Sequence, residues 1–181
     1  MAANHKEIVL ITGGNTGLGF EIAKKLLREH KNRFHILIGA RTPSKGEAAV
    51  KDLQSQGYSD VEFFPIEVTN NASIAAAAKT VNKKFGRLDI LHVNAGIAPD
   101  KDKLSKVPIS DLLMETFHTN AAGAAQTAEE FIPLLQKAEN PRIIFMSTGL
   151  GSLDRATKMP AGVKNWPAYA SSKAALNMIM L

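Results

Sequence analysis

Tyr169 and Lys173 are the residues of this chain whose types and spacing most directly suggest chemistry. A separation of four residues places both side chains on one face of a helix, within reach of each other. An ammonium group beside a phenol favours the phenolate form, so we expect the pKa of Tyr169 to be lowered from its ordinary value of about 10. The pair predicts a general acid or base, although the same spacing also arises by chance and needs supporting motifs.

A glycine-rich segment near the start of the chain predicts a binding site for a dinucleotide. After a short apolar strand and before an amphipathic helix comes the run Thr12-Gly13-Gly14-Asn15-Thr16-Gly17-Leu18-Gly19. Glycines in this context form a tight turn and let the backbone approach a pyrophosphate, while the helix N-terminus offers free N–H groups. The alternative is a plain turn between a strand and a helix. The predicted cofactor contacts here are Gly13, Asn15, Thr16, Gly17, Leu18 and Gly19.

Two cations follow the second predicted strand, where a dinucleotide-binding fold selects between NAD and NADP. An acidic residue there would bind the ribose 2′-hydroxyl of NAD, whereas Arg41, joined by Lys45, can pair with the 2′-phosphate of NADP. The sequence therefore favours NADP(H) over NAD(H). The alternative is that both side chains are solvated loop cations.

These residues require a scaffold, and the hydrophobic pattern predicts one in which strands and helices alternate along the chain. Such alternation is typical of βαβ units, which form an α/β fold, a doubly wound parallel sheet of the Rossmann type with helices on both faces. The predicted strands are Ile8–Ile11, His35–Gly39, Val61–Val68, Leu88–Val93 and Arg142–Ser147. The predicted helices are Gly17–Glu29, Ser44–Gln56, Ser73–Phe85, a long region from Ser110 to Lys137, and Ala168–Leu181.

Two segments and one proline are predicted to be irregular. Asp100–Pro108 and Leu153–Pro167 carry the Pro, Gly and Lys content that is typical of loops. Pro133 lacks a backbone donor, so we expect the long helical region to be interrupted or bent before it.

Composition excludes several classes of function. The chain has no cysteine, which excludes disulfides, iron–sulfur clusters, thiolate zinc sites and cysteine nucleophiles, and its five histidines lack metal-ligand spacing. The net charge of +5 suggests nucleic acid, but no aromatic residues are interleaved with the cations. Much of the surplus lies at polar positions around one apolar helical pattern, namely Lys24, Lys25, Arg28, Lys31 and Arg33. A solvated helix face is the favoured interpretation of this charge, so we predict no nucleic-acid partner. The absence of cysteine and of metal-ligand spacing predicts no metal.

The two ends of the chain also support expectations. The start is polar and leads into the short apolar run Ile8–Ile11, which is too brief for a signal peptide or a membrane span, so we expect a cytoplasmic protein. A length of 181 residues favours one domain over residues 1–181. The apolar helical pattern that ends at Leu181 has no C-terminal helix signal, so we expect this domain to be truncated there.

Taken together, the motifs resemble those of the short-chain dehydrogenase/reductase family. The glycine turn, Asn94-Ala95-Gly96 after the fourth strand, Asn120, the pair Ser147-Thr148 and the Tyr169/Lys173 pair occur in the family's order. The resemblance runs from Ile8 to Leu181, and Gly13-Gly14-Asn15 with Ala40-Arg41 is similar to the NADPH-dependent carbonyl-reductase branch.

The resemblance implies a role for each matching residue. Tyr169 would exchange a proton with the substrate oxygen while NADPH delivers hydride, and Lys173 would lower the pKa of Tyr169 and hold the nicotinamide ribose. Asn120 would fix a water in a proton relay. A hydroxyl of Ser147 or Thr148 would stabilise charge on the substrate oxygen. The remaining implied cofactor contacts are Glu67, Val68, Asn94, Ala95 and Gly96.

Three positions depart from the family pattern. Thr148 stands where the family has its catalytic serine, and we favour Thr148 over Ser147 as the active hydroxyl although threonine has a stiffer χ1. Glu67 stands where the family has an aspartate near the adenine. Val93 replaces a frequent asparagine, which we interpret as core.

The expected function is that of an NADP(H)-dependent oxidoreductase acting on a small carbonyl or alcohol, as a homodimer or homotetramer. The alternative is a protein of the same fold that binds NADP(H) without catalysis, as a sensor or an interaction module. The resemblance implies further strands after the helix of Tyr169 and Lys173, and this sequence ends before them. Their absence would favour that alternative, because the fifth strand would be left as an exposed sheet edge.

Overall fold

The alternation of strands and helices predicted from the sequence is present in the computed structural model, which describes residues 6–160 and 166–181. Five parallel strands form one sheet in the order β3-β2-β1-β4-β5. Their bounds are Glu7–Thr12 (β1), Phe34–Ala40 (β2), Val61–Pro65 (β3), Ile90–Val93 (β4) and Arg142–Phe145 (β5). The chain crosses from β3 over the sheet to β4, so the strand order reverses beside β1. The predicted doubly wound Rossmann-type sheet is therefore confirmed.

Helices cover both faces of this sheet. Their bounds are Gly17–Glu29 (α1), Pro43–Ser55 (α2), Asn71–Phe85 (α3), Asp100–Lys103 (α4), Ile109–Phe117 (α5), Gly123–Leu135 (α6), Leu153–Lys158 (α7) and Pro167–Ile179 (α8). A π-helical turn at His118–Ala122 joins α5 to α6, and a 3-10 turn covers Gly149–Gly151.

The alternating side chains of the strands build two apolar cores. On one face, Leu10, Leu37 and Leu91 pack with α3, α6 and α8. On the other face, Val9 and Ile36 lie in a second core with α1 and α2. Burial on both faces explains why these strands are nearly continuous apolar runs.

Several predicted boundaries were wrong. The third strand was predicted to reach Val68, but β3 ends at Pro65, where the missing N–H interrupts the ladder and Ile66 makes one last bond to Ala40. The predicted first residues of the fourth strand and last residues of the fifth also lie outside β4 and β5. Strand ends are where backbone pairing stops, and the apolar pattern continues past that point.

The predicted irregular segments were partly wrong as well. Both predicted loops contain a short helix, α4 and α7, and residues 161–165 of the second loop lie outside the described residues, as do residues 1–5. The long helical region is interrupted at the π-helical turn, and α6 continues through Pro133 to Leu135. The turn brings Gly123 against the Val68 carbonyl, where an added Cβ would lie 2.3 Å from the oxygen. Tertiary packing therefore places the irregularity away from the proline.

The far edge of the sheet is formed by β5, where Ile143 and Ile144 are exposed. Among the described residues, no helix has the length and apolar character needed to cross a membrane.

Candidate active site

A cleft of about 520 Å³ opens at the carboxyl ends of the strands, beside the reversal of strand order. This is the position at which parallel α/β sheets bind ligands. Residues from all five strand ends and from α8 line the cleft: Gly13, Asn15, Thr16, Gly17, Leu18, Ala40, Arg41, Thr42, Lys45, Ile66, Val68, Asn94, Ala95, Gly96, Ile97, Ala98, Thr119, Met146, Tyr169 and Lys173.

The glycine turn between β1 and α1 forms one end of the cleft. Gly13 has a φ of +64°, a left-handed conformation that favours glycine. Gly19 is needed for close approach, because an added Cβ would lie 2.6 Å from both the Gly13 carbonyl oxygen and the Asn94 Nδ2. The two glycines have different roles, since one sets the direction of the turn and the other lets α1 lie against it.

Two polar side chains, those of Thr12 and Asn94, hydrogen-bond to the backbone of this turn and of the segment that follows β4. Thr12 is fully buried, and its hydroxyl accepts hydrogen bonds from the backbone N–H groups of Asn94 and Ala95, each at 3.0 Å. The Asn94 amide donates to the carbonyls of Thr12 at 3.0 Å and Gly13 at 3.2 Å. The cleft walls that follow β1 and β4 are thereby joined into one unit.

The N-terminus of α1 faces the cleft without a competing anion. Thr16 precedes the helix in an extended conformation, its side chain makes no capping hydrogen bond, and the first turn has no acidic residue. The first-turn N–H groups and the positive end of the helix dipole can therefore serve an anionic ligand. The glycine turn and this helix end fit a pyrophosphate.

Replacing Gly19 with alanine is expected to weaken NADPH binding by at least about tenfold, because the added methyl must push α1 away from Gly13 and Asn94. Fluorescence titration with NADPH measures this change, and the thermal midpoint of unfolding should fall as well. Gly149→Ala is the matched control, since the atoms nearest to its methyl group all belong to the flexible side chain of Arg155. Unchanged NADPH affinity in Gly19→Ala would contradict the assigned close approach.

Two cations stand at the other end of the cleft, after β2. Arg41 and Lys45 both line it and are exposed. Within residues 6–160 and 166–181, neither takes part in an ion pair. Thr42, at the start of α2, makes no side-chain cap there. This end of the cleft can hold a second anionic group.

Tyr169 and Lys173 lie on α8, along the opposite wall. The Lys173 Nζ is 5.9 Å from the centre of the Tyr169 ring and donates a 2.7 Å hydrogen bond to the Met146 carbonyl. Lys173 is 4% exposed, and its burial lowers the pKa of its ammonium group. Burial likewise raises the pKa of Tyr169. The predicted lowering of that pKa is therefore wrong for the chain alone, because loss of hydration disfavours the charged phenolate.

Asn120 lies behind the cleft wall, in the π-helical turn. It is fully buried, and its amide group exchanges two 2.8 Å hydrogen bonds with the backbone N–H and carbonyl of Ile97. It also donates to the Ser172 hydroxyl at 3.0 Å. Asn120 thus connects the segment that follows β4 to α8. Its amide NH₂ group donates both to the Ile97 carbonyl and to the Ser172 hydroxyl.

The two candidate hydroxyls after β5 do not line the cleft. The Ser147 hydroxyl donates to the Asn177 side chain on α8, and the Thr148 hydroxyl accepts from the Leu150 N–H at 3.3 Å as the cap of the 3-10 turn. Within the part of the chain that the structure describes, the Ser147 hydroxyl is bound by a side chain, whereas the Thr148 hydroxyl is bound only by a long hydrogen bond from the backbone.

Glu67 also lies apart from the cleft wall, although its neighbours Ile66 and Val68 line it. The Glu67 carboxylate accepts a 3.3 Å hydrogen bond from Thr69, and its backbone N–H donates to Ser73. All of the predicted cofactor contacts except Glu67 and Gly19 thus line the cleft. Gly19 lies beneath the lining residues and packs against Gly13 and Asn94.

Sequence reasoning missed Thr12, Asp100 and Asn177. Thr12 could have been found, because it is the last strand residue before the glycine turn. Asp100 and Asn177 carry no local signal, since their partners lie 68 and 30 residues away along the chain.

No group of three or more His, Cys, Asp or Glu side chains within the described residues is arranged to hold a metal ion.

Comparison with known proteins gives consistent matches along nearly the whole chain. The model of the short chain dehydrogenase family matches residues 7–181. The short-chain dehydrogenase/reductase ATR10 of Stachybotrys chlorohalonatus is 49% identical over 178 residues, which cover 97% of this chain and 64% of ATR10. The short-chain dehydrogenase anuI of Penicillium roqueforti is 39% identical, over 99% of this chain and 72% of its own length. The chain therefore spans about two thirds of the length of these relatives.

A solved structure has a similar fold. The NADPH-bound carbonyl reductase from chicken fatty liver superposes with a TM-score of 0.80 at 30% identity, over 97% of this chain and 68% of that protein.

Proposed function

Since this chain belongs to the short-chain dehydrogenase family, we propose that it transfers hydride between NADP(H) and a small carbonyl or alcohol substrate, with Tyr169 as the general acid or base. The observation that carries the proposal is the cleft itself. Its walls hold the glycine turn, the cations Arg41 and Lys45, and the pair Tyr169 and Lys173.

The cofactor preference rests on charge. A dinucleotide with its pyrophosphate at the N-terminus of α1 would place its adenine ribose towards the end of β2. Arg41 and Lys45 line the cleft there, and an arginine can bind a phosphate through two parallel hydrogen bonds. NADPH is also the cofactor bound to the chicken carbonyl reductase. When bound, NADPH supplies the hydride.

Proton transfer is assigned to two residues of α8, Tyr169 and Lys173. Burial raises the pKa of the Tyr169 phenol and so favours its protonated form, which can donate a proton to a carbonyl oxygen as that oxygen gains charge. The Lys173 ammonium is fixed by the Met146 carbonyl and retains further donors for a ribose hydroxyl and for the phenolate formed. Asn120 hydrogen-bonds both to Ile97, which follows β4, and to Ser172 on α8. It therefore fixes the position of α8 relative to the cleft wall.

Thr148 is our candidate for the hydroxyl that stabilises the substrate oxygen. It stands at the position that matches the family serine, and within residues 6–160 and 166–181 its hydroxyl makes one hydrogen bond, a 3.3 Å contact in which it accepts. The hydroxyl proton therefore remains available to a substrate oxygen. Ser147 instead gives its proton to Asn177.

Titration of the cofactor-free protein should show Tyr169 ionising above the ordinary tyrosine pKa of about 10, since burial raises the pKa of this phenol. The acid form of the cofactor-free protein is then present throughout the neutral range. Phenolate absorbance of the protein minus that of its Tyr169→Phe variant measures the ionisation. A difference titration centred below the ordinary value would contradict this environment.

The proposed reaction is tested with the protein that the natural gene encodes, because the chain spans about two thirds of its relatives. A panel of aldehydes and ketones is supplied with NADPH, and the consumption of NADPH is recorded. We expect consumption that depends on the carbonyl compound. NADPH that binds but is not consumed with any of them would favour a non-catalytic NADP(H)-binding protein.

A further inference from the structure

A buried carboxylate sits at the N-terminus of α8. Asp100 is 1% exposed, and it belongs to α4, far from Tyr169 in the sequence. One carboxylate oxygen accepts a hydrogen bond from the Ala168 N–H at 2.9 Å, and the other accepts from the Tyr169 N–H at 3.0 Å.

These two bonds satisfy the free donors at the beginning of the helix. Pro167 is the first residue of α8 and has no N–H, and the Ala170 N–H already bonds to the Trp166 carbonyl. Trp166 supplies no side-chain cap. Asp100 therefore acts as the cap of α8 from a distant segment, and the positive end of the helix dipole compensates its buried charge.

A second bond holds the same two segments together. Asn120 binds the backbone of Ile97 and also the hydroxyl of Ser172. Segment 97–100 is thus tied to α8 at both of its ends, while residues 94–98 line the cleft. A shift of this cleft wall would therefore be passed to the turn of α8 that holds Tyr169.

We propose that Asp100 is a positioning residue that sets the place of Tyr169 relative to the dinucleotide side of the cleft. This inference rests on the proposed function, because it assigns to Asp100 the alignment of the proposed acid. Asp100 does not line the cleft, so it acts through the backbone of Ala168 and Tyr169.

The test compares Asp100→Asn with Asp102→Asn in the protein that the natural gene encodes. Asparagine has one acceptor oxygen and turns its NH₂ group towards the second N–H, so one first-turn bond of α8 is lost. Asp102 lies in the same short helix but is exposed, which makes it the matched control.

We expect kcat of Asp100→Asn to fall by about ten- to a hundredfold, since small misplacements of a reacting group are costly. The Kd for NADPH should stay within about twofold, because the cleft contacts remain. Amide hydrogen exchange at Ala168 and Tyr169 should become at least about tenfold faster, which is a readout that needs no catalysis. Asp102→Asn should match the unsubstituted protein in all three measurements.

Unchanged kcat or unchanged exchange in Asp100→Asn would overturn the inference. A parallel loss of NADPH affinity and kcat would also overturn it, because that result indicates general destabilisation. An inactive unsubstituted protein would refute the proposed function instead, so the two failures are distinguishable. If Asp100→Asn does not fold, Asp100→Glu retains the charge and both acceptors, and the same split between kcat and Kd is required of it.

Discussion

Replacing Tyr169 with phenylalanine is expected to lower kcat for carbonyl reduction by about a thousandfold, within the range that positioned general acids contribute. The substitution removes only the phenol oxygen. The ring can keep its edge-on contact with Trp166, with centroids 6.3 Å apart, so α8 and the cleft should retain their shape. The Kd for NADPH should therefore change by less than about twofold.

Steady-state kinetics together with NADPH fluorescence separate these two quantities. The matched control is Tyr58→Phe, because Tyr58 is the other tyrosine of the chain and does not line the cleft. It should leave both kcat and Kd unchanged. Turnover of Tyr169→Phe close to that of the unsubstituted protein would refute the role of Tyr169 as the acid.

Exchanging Arg41 for aspartate is expected to raise the Kd for NADPH by about ten- to a hundredfold, since a hydrogen bond to a charged group contributes about 1.5–3 kcal/mol. The new carboxylate would repel a 2′-phosphate. It could accept a hydrogen bond from the 2′-hydroxyl of NADH, so the Kd for NADH should stay constant or fall. The ratio of the two affinities therefore moves towards NADH.

Lys25→Asp provides the control for net charge, because Lys25 is an exposed cation on α1 that does not line the cleft. It should weaken both cofactors only slightly and should leave their ratio unchanged. An unchanged ratio in Arg41→Asp would remove the assignment of this residue to the 2′-phosphate.

The layout of strands and helices could be predicted because each βαβ unit is specified locally. The bounds of α1 agree with the prediction at both ends, since Gly17 and Glu29 enclose a clear helical period after the glycine turn. The parallel strands followed from short apolar runs that are buried on both faces. Most of the predicted cofactor contacts could be named because they stand at a strand end, in the glycine turn or on α8, whereas lining residues such as Thr119 and Met146 were not predicted.

Other features depend on contacts between distant segments, and local patterns do not record them. Asp100 was predicted to lie in a loop, but it is buried by its two bonds to the start of α8. The pKa of Tyr169 was predicted to fall on the strength of its spacing from Lys173. Spacing shows that two groups are neighbours, whereas the shift depends on how much water the fold removes from both.

The choice between the two hydroxyls after β5 also depends on contacts with a distant segment, which the local sequence does not record. Ser147 and Thr148 are adjacent, so periodicity cannot separate them. They differ in their contacts with Asn177, one turn beyond Lys173 on α8, which accepts from Ser147 and donates to the Gly151 carbonyl at 3.2 Å. Among the described residues the Thr148 hydroxyl donates to no partner, and this supports our proposal of Thr148 as the active hydroxyl.

The most direct test of the proposed function follows the hydride itself. The protein is supplied with a carbonyl compound and with NADPH deuterated at the transferable position of the nicotinamide, and the product alcohol is analysed by mass spectrometry. We predict that deuterium appears on the former carbonyl carbon and that the rate of its appearance falls in Tyr169→Phe as kcat does. Bound NADPH that transfers no deuterium to any carbonyl compound would contradict the assignment of an oxidoreductase.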